Sequence, residues 1–368
     1  MKEINPTARV LKGPGPSEVD PRVLKAMSTP LIGHLDPQFI QIMDEVKEMT
    51  RQLFQTQNRI TSVMSGTGSA GMETCLVNLL EPGDTAMVCV SGVFGTRMSD
   101  IIERCGAKLL RLDAQWGKPV DTAKVKEMLE RSDPKVVAIV HAETSTGVLQ
   151  PLEEISKLVH DKGALFLVDT VTSLGGTPVK LDDWKIDAVY SGSQKCLSAP
   201  PGLSPVSFSQ AALAKMDSRK TKVQSWYLDM SMIRNYWEGA KRAYHHTGPI
   251  SMIYAIHEAM RIVLEEGLEK RFDRHYNNHQ ILKKELETMG FEFLVAPEYR
   301  LPMLNAVKIP AGFDDVTVRN RLLNEYNIEI GGGLGEFAGR IWRIGLMGES
   351  STLNHINMLV TALKQIMK

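Results

Sequence analysis

Four cysteines in 368 residues, with no paired spacing among Cys75, Cys89, Cys105 and Cys196, argue against a disulfide framework and a cysteine-rich zinc site. Net charge is missing too: 43 Lys and Arg are matched by 43 Asp and Glu, so no global field draws the chain to nucleic acid or an anionic membrane. Long hydrophobic runs are absent. Those at 136–140 and 164–168 fall far short of the roughly 18 residues that a membrane span requires. The opening residues 1–10 lack the basic, apolar, small-residue order of a secretory signal, and the closing Gln365-Ile366-Met367-Lys368 is no peroxisomal tripeptide. These absences lead us to expect a soluble cytoplasmic protein with small or locally charged partners, and no nucleic acid, membrane or metal among them.

What is present is an ordinary globular composition, 43% hydrophobic and 23% charged, in a chain longer than one hydrophobic core normally sustains, so two domains are expected. Short apolar strands alternate with helical stretches, without internal repeats, which points to an α/β fold with a mostly parallel sheet covered by helices. Candidate strands fall at 60–64, 85–90, 108–112, 136–141, 164–169 and 188–191. Beyond about Pro249 the pattern turns helical as far as Gly290, with Gly267 as a break. Further strands are expected at 291–295, 305–309, 328–330 and 342–346. A last helix repeats Leu353, Ile356, Leu359, Leu363 and Ile366 on one face, behind Ser351 or Thr352 as N-cap. The expected division is an arm at 1–12, a large domain at 13–266 and a smaller C-terminal α+β domain at 267–368.

Three segments carry chemistry. Ser65-Gly66-Thr67-Gly68-Ser69-Ala70-Gly71 follows a strand and opens a helix whose Met72, Cys75, Leu76, Leu79 and Leu80 have the spacing of a buried face. It carries the three glycines of a dinucleotide fingerprint. A nicotinamide-dependent oxidoreductase would also need an acid about 20 residues on, at the end of the next strand, to hold the ribose; that strand ends Val90-Ser91-Gly92. What survives is a helix N-terminus whose backbone N–H groups, with the Thr67 and Ser69 hydroxyls, cradle one phosphate, or else a plain capped helix start. Asp169 ends an apolar strand, where a buried carboxylate needs a cationic partner. Lys195 closes Tyr190-Ser191-Gly192-Ser193-Gln194-Lys195 after the next strand, and a right-handed crossover sets the two strand ends side by side. Singly, Lys195 reads as a solvated charge and Asp169 as a turn or cap residue. Together, beside a phosphate cradle, they are what pyridoxal phosphate requires: the lysine forms the imine and the acid keeps the ring nitrogen protonated.

Further segments complete a recognisable pattern: Gly13-Pro14-Gly15-Pro16-Ser17, Ser145-Thr146-Gly147-Val148-Leu149-Gln150-Pro151-Leu152, Ala199-Pro200-Pro201-Gly202, Tyr244-His245-His246-Thr247 and Arg343-Ile344-Gly345-Leu346-Met347-Gly348. Over nearly its whole length the chain resembles the class V aminotransferases of the fold type I pyridoxal phosphate enzymes, most of all their alanine:glyoxylate and serine:pyruvate branch. The resemblance implies Lys195 as Schiff-base lysine and proton carrier, Asp169 at the ring nitrogen, and Thr67, Gly68, Ser69 and Gln194 at the phosphate. It puts Phe94 on the ring face and Thr144 at the ring hydroxyl. A Trp and a Ser are also familiar at these two places, and the swaps retain a π-face and a hydroxyl. It further implies a symmetric homodimer in which Tyr244 and Thr247 reach the neighbouring subunit's phosphate.

Arg343 lies between Trp342 and Ile344 in an apolar strand and so needs an anion. The resemblance makes that anion the substrate carboxylate, with Gly15 nearby; the alternative is a structural ion pair. The implied activity moves the amino group of alanine or serine to glyoxylate or pyruvate in two half-reactions, and the lack of a second arginine near the motif favours small neutral side chains. Transaminases of kynurenines or ureidoglycine share the scaffold and stand as alternatives. A cysteine desulfurase would carry His immediately before the lysine, where Gln194 stands. His245 and His246, expected on a strand, would point to opposite faces, which argues against a metal pair.

Overall fold

Strands that are apolar on both faces need cover on both sides, and every residue of Val136–Val140 is buried. In the computed structural model, which describes residues 1, 3–239 and 241–368, this strand lies inside a seven-stranded sheet. The strand order is Ile60–Ser65, Leu203–Phe208, Ala188–Tyr190, Leu165–Asp169, Val136–Val140, Thr85–Val90 and Lys108–Asp113. All pairings are parallel except those of Leu203–Phe208, which runs antiparallel to both neighbours. Six of the seven match the expected strands, with ends shifted by at most one residue. The seventh has no counterpart among them, because Pro205 stands inside it and Ser204 and Ser207 break its apolar run.

The C-terminal part holds a three-stranded antiparallel sheet of order Leu304–Lys308, Ile341–Gly345 and Gly331–Gly332. The strand expected at 291–295 does not form. Phe293 makes a single bridge to Val307, and Pro297, without an N–H, then opens a 3₁₀ turn over Pro297–Tyr299. Helices Ile250–Glu266 and Leu268–Thr288 break at Gly267, whose φ of 86° suits glycine. The last helix, Leu353–Ile366, is capped by the Thr352 side chain, which accepts from His355 N, and buries Ile356, Leu359, Leu363 and Ile366. Leu353, expected on that face, is exposed. One apolar core surrounds the large sheet; a second gathers around Trp342 and takes in Val10. Val10–Leu11 pairs with Ile328–Glu329 of the second unit.

No helix among the described residues is long and apolar enough to cross a membrane. Cys75, Cys89, Cys105 and Cys196 are all buried free thiols.

The parallel strands end on one edge, at Ser65, Val90, Val140, Asp169 and Tyr190, where ligands of open α/β sheets collect. Helix Gly68–Leu79 lies so close to the sheet that a Cβ on Gly71 would sit 3.0 Å from the Cβ atoms of both Tyr190 and Ser204, and nearer still to Ser204 Oγ. Helix propensity alone makes Gly→Ala stabilising by about 1 kcal/mol. We predict the opposite sign for Gly71→Ala, a loss of about 1 to 3 kcal/mol from overpacking, read as a lower urea midpoint at unchanged slope.

Candidate active site

The glycine-rich turn is shaped by close packing. Gly66, at φ 143°, donates its N–H to Gly202 O at 3.0 Å. A Cβ on the buried Gly68 would lie 3.3 Å from Val171 Cγ2 and 3.5 Å from Ser191 O. Thr67 is the N-cap of helix Gly68–Leu79, yet its side chain makes no capping hydrogen bond. That leaves the Thr67 hydroxyl turned to other use, with Thr67 and Ser69 both exposed at the helix N-terminus. Two buried oxygens just after other strand ends, Ser91 Oγ behind Thr85–Val90 and Gln194 Oε1 behind Ala188–Tyr190, have no hydrogen-bond partner. Burial without a partner is costly for such groups and points to a ligand that satisfies them.

Asp169 and Lys195 do converge. Asp169 pairs in register with Tyr190 across adjacent parallel strands, and the chain then turns through Ser191–Gln194 to Lys195. The Asp169 carboxylate is fully buried; Oδ1 accepts from Val171 N at 2.8 Å and Oδ2 from Tyr190 Oη at 2.6 Å. Burial pushes this carboxyl up to about 7, against those hydrogen bonds and the pull of Lys195. Burial brings the Lys195 ammonium down to about 8, helped by Arg343 and opposed by Asp169. Lys195 Nζ donates to Pro14 O. A side chain at Gly15, which has φ 104°, would run into the Lys195 side chain, so only glycine lets the N-terminal segment approach the amine this closely.

Arg343 is 7% exposed. Its hydrogen bonds go to backbone carbonyls, Nε to Gly332 O at 2.7 Å and Nη1 to Thr144 O at 3.1 Å, so it makes no hydrogen-bonded ion pair, although Glu143 lies within reach of its charge. Burial lowers the guanidinium to about 10, partly offset by Glu143. Thr144 is buried beside it, and Phe94 lies half-buried on helix Val93–Arg104 with the Arg97 guanidinium 4.9 Å from its ring centroid.

The Tyr244–Thr247 segment departs from expectation. It is irregular rather than a strand, and His245 and His246 meet, Nδ1 to Nδ1 at 2.8 Å. Their remaining nitrogens face Trp226 O at 3.3 Å and Ser65 Oγ at 2.7 Å, so every ring nitrogen already has a protein contact. Burial and His245 bring His246 down to about 4. Tyr244 and Thr247 are both exposed, their hydroxyls 3.3 Å apart.

Sequence reasoning missed Tyr190 and Glu143. Tyr190 was legible as the cross-strand neighbour of Asp169 once the crossover was drawn. Glu143 carries no such signal, since it lies beyond the apolar strand Val136–Val140, in the short strand Ala142–Glu143, and its partner Phe94 N comes from a distant turn.

The raised Asp169 carboxyl has a consequence for stability. An acid whose folded value lies above its ordinary one opposes folding as pH rises from about 4, and that penalty is complete above about 7. In protein stripped of small molecules, Asp169→Asn should therefore gain stability relative to wild type between pH 5 and pH 8 in denaturant titrations. A gap that stays constant over this range would contradict the assignment.

Comparison with known proteins places this geometry. The family model for aminotransferase class-V matches residues 10–336. An alanine–glyoxylate aminotransferase of Rattus norvegicus is 42% identical over 370 residues, covering 100% of this chain and 89% of that protein. An (S)-ureidoglycine–glyoxylate transaminase of Bacillus subtilis is 38% identical, covering 100% and 92%. The solved alanine–glyoxylate aminotransferase of a Nostoc species superposes with a TM-score of 0.98 at 46% identity, covering 100% of this chain and 97% of that one. A buried acid and amine at adjacent strand ends, beside an uncapped helix N-terminus, thus belong to a chain that is a member of the class V aminotransferase family.

Proposed function

We propose that this aminotransferase uses pyridoxal phosphate to move an amino group from alanine or serine to glyoxylate or pyruvate. The observation that carries the reading is the convergence of Asp169 and Lys195, each buried and each shifted toward its neutral form by that burial. The residues present fit the cofactor. Thr67, Gly68 and Ser69 form an open cradle at a helix N-terminus, the unpartnered Gln194 Oε1 lies beside it, and Asp169 supplies an acid for a ring nitrogen. Phe94 and Thr144 supply a ring face and a hydroxyl.

Bound there, pyridoxal phosphate would supply an electron-withdrawing ring that stabilises negative charge at the substrate α-carbon. Lys195 Nζ would hold the cofactor through its aldehyde carbon and, once the substrate amine has displaced it, would move the proton at the substrate α-carbon; an amine near 8 is suited to both directions of transfer. Asp169, fixed by Tyr190 and Val171, would hold a proton at the ring nitrogen. Arg343 would bind the substrate carboxylate through its planar fork, with Gly15 of the N-terminal segment nearby.

The proposal includes a homodimer in which Tyr244 and Thr247 complete the partner's phosphate site. Exposed Trp226, Tyr227, Tyr244, Leu31 and Leu35 support it, with Tyr244 against His34 and Trp226 stacked on His245. It also includes a cytoplasmic location and the division into an arm at 1–12 and domains at 13–266 and 267–368, which the two cores support.

Purified protein with cofactor should lose its visible absorbance on adding L-alanine or L-serine and regain it with glyoxylate. Lys195→Ala should lose all turnover, at least about 10³-fold, while still binding cofactor through the phosphate cradle. Full activity in that variant, or a large kcat/KM preference for aspartate or glutamate, would overturn the reading of the lysine or of the small substrate respectively. A ureidoglycine donor outperforming alanine would favour the second reading, supported by the Bacillus subtilis relative.

A further inference from the structure

Helix Val93–Arg104 begins at Gly92 and therefore has no N-cap side chain of its own. Its first N–H groups are satisfied from across the sheet edge instead. Val93 N donates to Ser145 Oγ at 3.1 Å and Phe94 N to Glu143 Oε2 at 3.3 Å. Ser145 in turn donates to Glu143 Oε1 through its N–H at 3.0 Å and its hydroxyl at 2.6 Å. Each oxygen of Glu143 thus accepts a backbone N–H, and the acid lies at a helix N-terminus, where negative charge is favoured. A Cβ on Gly92 would come within 2.5 Å of Glu143 Cδ, so glycine at 92 is what admits the carboxylate.

The residue between these two caps, Thr144, gives its carbonyl to Arg343 Nη1. Residues 143–145 therefore hold the ring-stacking Phe94 on one side and the carboxylate-binding Arg343 on the other. Glu143 is fully buried and makes no direct ion pair with Arg343; its hydrogen bonds go to Ser145 and Phe94. The buried titratable side chains of the site are then two bases, Lys195 and Arg343, and two acids, Asp169 and Glu143.

We propose that Glu143 is a positioning residue of the transaminase that fixes Phe94 against the cofactor and, as an anion beside Arg343, tempers that arginine's hold on carboxylates. This rests on the pyridoxal phosphate reading. Burial raises the Glu143 carboxyl while the Ser145 and Phe94 donors and Arg343 work the other way. Removing its charge leaves a surplus buried cation, which an incoming anion relieves. Tempering has a use, because the oxo-acid product keeps the carboxylate that Arg343 captured and must leave.

Glu143→Gln keeps the shape and removes the charge. Its dissociation constant for pyridoxal phosphate, titrated into cofactor-free protein, should rise at least about threefold, because the amide cannot accept from both backbone N–H groups. Acetate, as a competitive inhibitor against the amino donor in the holoenzyme, should bind at least about fivefold more tightly. Ser145→Ala retains the charge and loosens the cap, so it should weaken cofactor binding and leave acetate binding unchanged. A merely structural Glu143 would weaken both ligands in the Gln variant, and acetate binding that is unchanged or weaker there overturns the proposal. If Glu143→Gln fails to fold by thermal melting, unchanged cofactor binding in Ser145→Ala overturns it. Wild-type protein that takes up no cofactor overturns the reading of Lys195 itself, an outcome separable from the two variants.

Discussion

An acid and an amine are buried within reach of each other's charge at the carboxyl ends of neighbouring strands. Neither Asp169 nor Lys195 can be solvated there, and burial drives both toward neutrality, the acid up to about 7 and the amine down to about 8. Nothing about sheet packing alone requires either group, and two apolar residues would be cheaper. The surroundings conform to the buried pair: Tyr190 and Val171 steady the acid, and Pro14 receives the amine.

The same constraint explains the path of the N-terminal segment. It starts paired with Ile328–Glu329 and hands the Lys12 carbonyl to Gly345 N at 2.7 Å. The buried Lys12 amine reaches Ser350 O at 2.6 Å. Three residues after Pro14, Ser17 donates twice to the lysine loop, its N–H to Gln194 O at 2.9 Å and its hydroxyl to Lys195 O at 2.7 Å. One short stretch therefore ties the second core to the lysine, and Gly345 and Gly15 are the residues that let it pass: a Cβ on Gly345 would run into the Gly13 carbonyl, and one on Gly15 into the Lys195 side chain. Arg343, on the strand just before Gly345, is held at the mouth of the site by the same apposition.

Much of this was legible in the sequence because it follows from period and punctuation. The six parallel strands show as apolar runs with turn residues after them, Gly267 as a helix break, and Asp169 and Lys195 as polar ends of apolar strands. The rest was hidden for physical reasons. Leu203–Phe208 is an antiparallel strand carrying a proline and two serines, whose burial comes from tertiary neighbours rather than its own pattern. Residues 291–295 have a strand's composition and lack a partner beyond one bridge. His245 and His246 meet because their segment is irregular, which no two-residue alternation foretells. Glu143 acts through backbone groups contributed by a distant turn, and only the assembled sheet edge brings those together.

The most direct test of this account is a crystal structure of the protein grown with pyridoxal phosphate. It should reveal the ring covalently joined to Lys195 Nζ, with its nitrogen about 3 Å from an Asp169 carboxylate oxygen and its phosphate on Thr67, Gly68 and Ser69. A ring bound elsewhere, or one at Lys195 whose nitrogen faces away from Asp169, would contradict the claim that these two buried charges exist for one another.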